Sequence, residues 1–203
     1  MFAELALSQP AHDSTVEARS AAPAVSPAPA RRFELGVPVA HTSALFLTMR
    51  ITEAILWPNP FADPHPSVWF RHYGEAFSKP PLFDASEPAF RWDHDRWTIN
   101  VVGHALLGSE VYYRPRRCGA SPLGALAFAV GATVAWEYAF EGNGVRPSAL
   151  DLVYTPLSGI VLGEGRYWGW TLARGLENRA LRGLFSVLLD PLGEIERSLG
   201  SAC

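Results

Sequence analysis

TINVVGHALLGSEVYY (98–113), PLGALAFAVGATVAWEYAFE (122–141) and PSALDLVYTPLSGIVLGE (147–164) follow one another along the chain and set its fold class. The three are successive apolar segments, and they carry His104, Glu137 and Asp151 in turn. Asn100, His104 and Gly108 recur every four residues, which puts them on one stripe of a helix. Ala127, Gly131 and Ala135 form a stripe of small residues in the second segment, and Gly159 and Gly163 repeat that spacing in the third. Small residues at this spacing let two helix backbones approach closely. Three tightly packed helices are therefore expected, with His104, Glu137 and Asp151 gathered into one interior cluster.

Each candidate has a structural and a chemical reading. His104 lies among Val, Ala and Leu, where a neutral imidazole must satisfy its ring nitrogens, as a structural residue or as a ligand or base. Glu137 follows an apolar run, so its carboxylate must be paired, protonated or near water; it is a general base or metal ligand, or the end of a helix reaching solvent. Ser148 and Asp151, after Pro147, fit a capping box, in which Asp151 serves the free N–H groups of a helix start. Thr155-Pro156 fits a second helix start. Gly159 and Gly163 are packing positions. Glu164, at the far end of that helix, opposes the helix dipole and wants Arg166 or another Arg as partner.

These residues carry a resemblance. NVVGHALLGSEVYYRPR, WEYAFE, PSALDLVYTPLSG and LGE resemble, in order, the motifs of a bacterial family known only as domain of unknown function 3943, over about Trp97 to Glu164. Ala105 departs from the family pattern, in which Pro usually follows the His, and leaves the backbone less constrained. More loosely, the order His, Glu, Ser-x-x-Asp, Gly-x-x-x-Gly is similar to small VanZ-like membrane proteins. Neither resemblance implies an established reaction.

The remaining sequence sets outer limits. The 203 residues suffice for one domain, and the net charge of −3 argues against a nucleic-acid surface. The 17 basic residues are all Arg except Lys79, a skew attributable to genome composition. Cys118 and Cys203 cannot build a metal knuckle, and a single pair implies no disulfide framework; both read as incidental. Residues 1–32, rich in Ala, Pro and Ser, read as a disordered tail without a secretory signal, ahead of a single helical domain over 33–203. GVPVAHTSALFLTMRITEAILW (36–57) reads as a half-buried helix with Arg50 and Glu53 paired, stopped by Pro58 and Pro60. Residues 67–96 alternate aromatics with charge and read as a long ordered loop over the core or a segment in a membrane interface. After Glu164 come one or two amphipathic helices, broken at Asp190-Pro191.

Residues 118–136, 19 in number, are uncharged, close to the ~20 that cross a bilayer as a helix. If they span, the positive-inside rule places the end bearing Arg114, Arg116 and Arg117 in the cytoplasm. Mean hydropathy of only +0.05 favours instead a buried helix in a soluble bundle, and the resemblance tilts the balance towards the membrane. No His-Glu-x-x-His, phosphate-binding glycine loop or serine elbow occurs. Asp93, His94 and Asp95 are adjacent, so they point in alternating directions and do not close a metal site; no metal or cofactor is assigned. The expectation is a mainly α-helical, compact bundle of about five or six helices with a Pro- and aromatic-rich loop. Its function is that of an uncharacterised bacterial cell-envelope protein, membrane-embedded or membrane-associated, knit together by His104, Glu137 and Asp151, with Asn100, Ser148, Thr155 and Glu164 in support. Membrane lipid is an expected partner, nucleic acid is not, and no protein partner is named. The alternative is a hydrolase of lipid or cell-wall material with Glu137 or His104 as base and Asp151 orienting it.

Overall fold

A computed structural model describes residues 33–58, 62, 63, 65–200 and 203. The tail expected over residues 1–32 lies outside the described residues. The described chain is mainly α, with seven continuous helices and no strands. These are α1 (Gly36–Leu56), α2 (Pro66–Ser78), α3 (98–117), α4 (Pro122–Phe140), α5 (149–174), α6 (Arg179–Leu189) and α7 (Pro191–Ser198). The segment expected to be all loop contains α2, which Pro66 opens at its first turn, where a missing N–H costs nothing. Only residues 79–97 form the long connection, pinned to the start of α5 by a bridge between Leu82 and Ser148.

Three of the helices contain a wider π turn. Residues Thr98–Gly103 open α3, Trp136–Phe140 close α4 and Gly159–Gly163 interrupt α5. The expected break at Thr155-Pro156 does not occur, since the α-helical part of α5 runs unbroken from Ala149 through Ser158. Pro156 sits inside one helical run, because its neighbours Thr155, Ser158 and Gly159 pack against α3 and hold the run together.

Helix α3 lies at the centre, against α1, α4 and α5. Its contact with α5 uses the glycines anticipated there. A Cβ on Gly159 would stand 2.6 Å from the carbonyl oxygen of Gly108, and one on Gly163 2.7 Å from the Tyr112 ring; one on Gly108 would collide with the Thr155 carbonyl. The small-residue face of α4 differs from the expected one. Ala125, Ala129 and Ala132 are buried, whereas Ala127 and Gly131 face outward, and a Cβ on Gly131 would meet nothing within 4 Å. Trp136 sets this rotation, since its ring packs 5.2 Å from Phe46 of α1 and the π turn brings Phe140 to 5.1 Å on the same ring.

The distribution of polarity is inverted. Nearly all of His104–Arg117 is buried although it carries Glu110, Arg114 and Arg117, whereas the apolar α4 leaves Leu123, Val130 and Val134 exposed. Around α3 an ion network binds four helices. Glu110 pairs with His41 (3.1 Å), Arg114 (3.1 Å) and Arg166 (2.8 Å). Asp190 pairs with Arg114 (3.0 Å) and Arg117 and also caps α7 through the N–H of Gly193, so the expected break at Asp190-Pro191 is tied to the core. Glu164 pairs with Arg116 rather than Arg166, by two bonds of 2.8 Å, and accepts the Tyr112 hydroxyl at 2.9 Å. Its expected dipole problem disappears because the helix continues through it. Cys118 and Cys203 form a disulfide, correcting their reading as incidental: the chain after α7 returns to the end of α3.

Candidate functional site

His104, Glu137 and Asp151 meet. Each offers one ligand atom, and these three atoms lie within 4.8 Å of one another. The local backbone explains how three helices deliver them. His104 directly follows the π turn of α3, with its N–H donating five residues back to the Ile99 carbonyl, and Glu137 sits within the π turn of α4. Such wide turns rotate the following side chains off the ordinary helical stripe and recur at functional sites. Asp151 is in the first turn of α5.

The capping box at α5 is only half formed, and the missing half is instructive. Ser148 caps as expected, its hydroxyl accepting the N–H of Asp151 at 3.2 Å. In a full box the acid three residues on would return the bond to the N–H of the cap. Here Glu137 takes that N–H at 2.8 Å from another helix, and Asp151 is released towards His104, whose Nε2 lies 3.4 Å from its Oδ2. The other ring nitrogen of His104, Nδ1, is held by the hydroxyl of the fully buried Thr155 at 2.9 Å.

A second layer supports these groups. Asp93 accepts the Ser148 hydroxyl at 2.6 Å and the side-chain amide of Asn100 at 2.7 Å; Asn100 also donates to the Phe90 carbonyl at 2.9 Å. Burial would raise the Asp93 carboxyl, but the bonds from Ser148, Asn100 and the Asp95 N–H outweigh it and hold it below its ordinary value. Asp95, half-buried, is pushed up to about 6 by burial and by Asp93 and Glu53. Glu141, just past α4, is pushed up to about 8, first by burial and then by Glu53 and Asp95. In WDHDRW, Asp93 turns inward, whereas His94 joins Asp84 (3.5 Å) and Glu87 (3.6 Å) at the surface.

The cluster is closed but incomplete. His104, Glu137 and Asp151 are all buried, yet Glu137 Oε1 and Asp151 Oδ1 have no hydrogen-bond partner. A hydrogen-bonded scaffold satisfies its buried polar atoms, because an orphan costs about 1–3 kcal/mol. Of the supporting residues expected, Asn100, Ser148 and Thr155 adjoin the cluster; Gly159, Gly163 and Glu164 serve the α3–α5 contact further along. Sequence reasoning did not assign Asp93 or Glu141 to this region. Asp93 was legible only as one of two acids flanking a His, and its inward turn accompanies the left-handed backbone at His94 (φ 74°), which nothing local announces.

No curated protein and no solved structure matches the chain, and nothing found supports the VanZ-like resemblance. The family model described as Domain of unknown function (DUF3943) matches residues 89–192, a span that starts just before Asp93, contains the whole cluster and runs past Asp190. Over half of its length, and with the cluster inside the matched part, the chain belongs to the DUF3943 family.

Proposed function

We propose that the protein is an integral component of a bacterial cell envelope, embedded in a membrane by its outer helices and organised internally by two buried polar centres. The observation that carries this reading is the inverted polarity: the charged α3 is buried at the centre while its apolar neighbours face outward. Ile55, Leu123, Val161 and Leu172 are each more than 70 % exposed, whereas Asp190 and Asn100 are 0 % exposed. A water-soluble monomer rarely shows contiguous apolar patches beyond a few hundred Å², and ionisable residues inside membranes face the bundle interior and pair there. Helix α4 is long and apolar enough to cross a bilayer, and only 33 % of its most apolar window is buried in the protein. Alone that is weak support; the exposed faces of α1, α5 and α6 add to it.

The disulfide bears on orientation. Disulfides persist in oxidising compartments, so the end of α3 at Cys118 faces the outside of the cytoplasm, opposite to the orientation the Arg count suggests. The arginines there are poor topology signals because they are spent internally, on Asp190 and Glu164. A second reading, a hydrolase acting on lipid or wall material, is favoured by the unpartnered oxygens of Glu137 and Asp151 beside His104. In that reading Glu137 or His104 is the base and Asp151 orients it.

Fractionation of expressing cells tests the main reading. We expect the protein in the membrane pellet, resistant to an alkaline carbonate wash and released by detergent. Recovery as a monodisperse protein without detergent contradicts it.

A further inference from the structure

We propose that His104, Glu137 and Asp151 hold a divalent transition-metal ion. This goes beyond the envelope reading, because an ion can sit in this cluster whether the surrounding helices face lipid or water. The sequence raised a ligand role for His104 and Glu137 as one reading among others and committed to no metal.

Three independent observations point to the ion. The first is geometric: three helices bring one imidazole nitrogen and two carboxylate oxygens within 4.8 Å of one another. The second is incompleteness. Glu137 and Asp151 are each only 2 % exposed, and each retains one oxygen without a donor, Oε1 and Oδ1. Glu137 Oε2 is already committed to the Ser148 N–H, so Oε1 is the oxygen left for a cation.

The third is charge. In the network around Glu110 and Asp190 every buried carboxylate meets an Arg. Around His104 the carboxyl groups of Asp93, Glu137, Glu141 and Asp151 make no ion pair with Arg or Lys among the described residues. A buried carboxyl without a basic partner holds a proton or coordinates a metal. The same fold thus supplies its own comparison: one polar centre is neutralised by guanidinium groups, and the other is left for a cation from outside.

The surroundings match what metal ligands need. A ligating imidazole is oriented by a hydrogen bond at its other nitrogen; Thr155 engages Nδ1 and leaves Nε2 to face Asp151. Ligating carboxylates are themselves hydrogen-bonded, as Glu137 is by Ser148, whose hydroxyl is fixed by Asp93. One nitrogen with two oxygens suits zinc or manganese better than magnesium or calcium, which prefer all-oxygen shells.

The test uses the full chain in mild detergent, stripped with chelator, then loaded with Zn²⁺ or, separately, Mn²⁺ and freed of unbound ion by gel filtration. Bound metal is read by atomic absorption. We expect one ion per chain for at least one of the two metals. Glu137→Gln and Asp151→Asn should abolish retention, and Thr155→Val, which keeps all three ligands, should weaken affinity about 10-fold or more. Asp84→Asn, in the surface group Asp84, Glu87 and His94, should change nothing. If the ligand variants do not fold, the wild type and Thr155→Val still decide. Wild-type protein that retains neither ion overturns the proposal, as does retention that survives Glu137→Gln and Asp151→Asn or is lost in Asp84→Asn.

Discussion

Glu137 accepts the backbone N–H of Ser148 at 2.8 Å with one carboxylate oxygen and keeps the other buried without a donor. This divided role predicts different outcomes for two substitutions in metal-free protein. Glu137→Gln keeps an acceptor for Ser148 and removes a buried ionisable group, so its melting temperature should equal or exceed that of the wild type. Glu137→Ala leaves the Ser148 N–H unpaired and should cost about 1–3 kcal/mol. Melting curves in detergent decide; a Gln variant as unstable as the Ala variant means that the carboxyl group itself, and not only an acceptor for Ser148, anchors α5.

Close backbone contact between α3 and α5 predicts a contrast among glycines. Gly159→Ala would drive a methyl to 2.6 Å from the Gly108 carbonyl, and since neither backbone can give way alone, the cost should be about 1–3 kcal/mol or more. Gly131→Ala meets open space on the outer face of α4 and should be neutral or stabilising by up to about 1 kcal/mol from helix propensity. Thermal melting of the two variants side by side checks the pair.

The three segments and their polar residues were legible in the sequence because small residues and lone ionisable groups are conspicuous in apolar runs. Which face of α4 turned inward was not. Two small-residue stripes compete there, and the choice of Ala125–Ala129–Ala132 is made by Trp136 and Phe140 packing at steep angles against Phe46 of a distant helix. The continuity of α5 through Pro156 was equally hidden, since a Thr-Pro pair has the same local signature whether it starts a helix or is carried within one. The pairing of Cys118 with Cys203 depends on the fold returning the chain end to α3, a relationship between residues 85 apart.

Glu141 makes stability depend on pH. Its ordinary value is 4.5 and burial pushes it up to about 8, so between those values the folded state binds more protons than the unfolded one. Stability then falls as pH rises through this window, being greatest below about 4.5 for this group and lost by about 8. Denaturation of chelator-stripped protein at a series of pH values should show that decline, and Glu141→Gln should flatten it. A decline of equal slope in the variant assigns the effect to other groups.

Removing the disulfide by Cys118→Ser should lower stability by about 2–5 kcal/mol. In intact cells the two thiols of reduced protein should react with a membrane-impermeant maleimide, as the oxidising side requires. Labelling that appears only after lysis reverses the orientation.

The inverted polarity of the helices is read out by the accessibility of single spin labels in reconstituted vesicles. Both natural cysteines are held in the disulfide, so a cysteine introduced at Val130, Leu157 or Val161 on the outer apolar faces, or at Ser86 in the connection after α2, can be labelled alone. We expect labels at Val130, Leu157 and Val161 to collide preferentially with oxygen, which concentrates in the bilayer, and the label at Ser86 with a water-soluble nickel chelate. Nickel-dominated collisions at all four positions would place the apolar faces in water and contradict a membrane-embedded bundle.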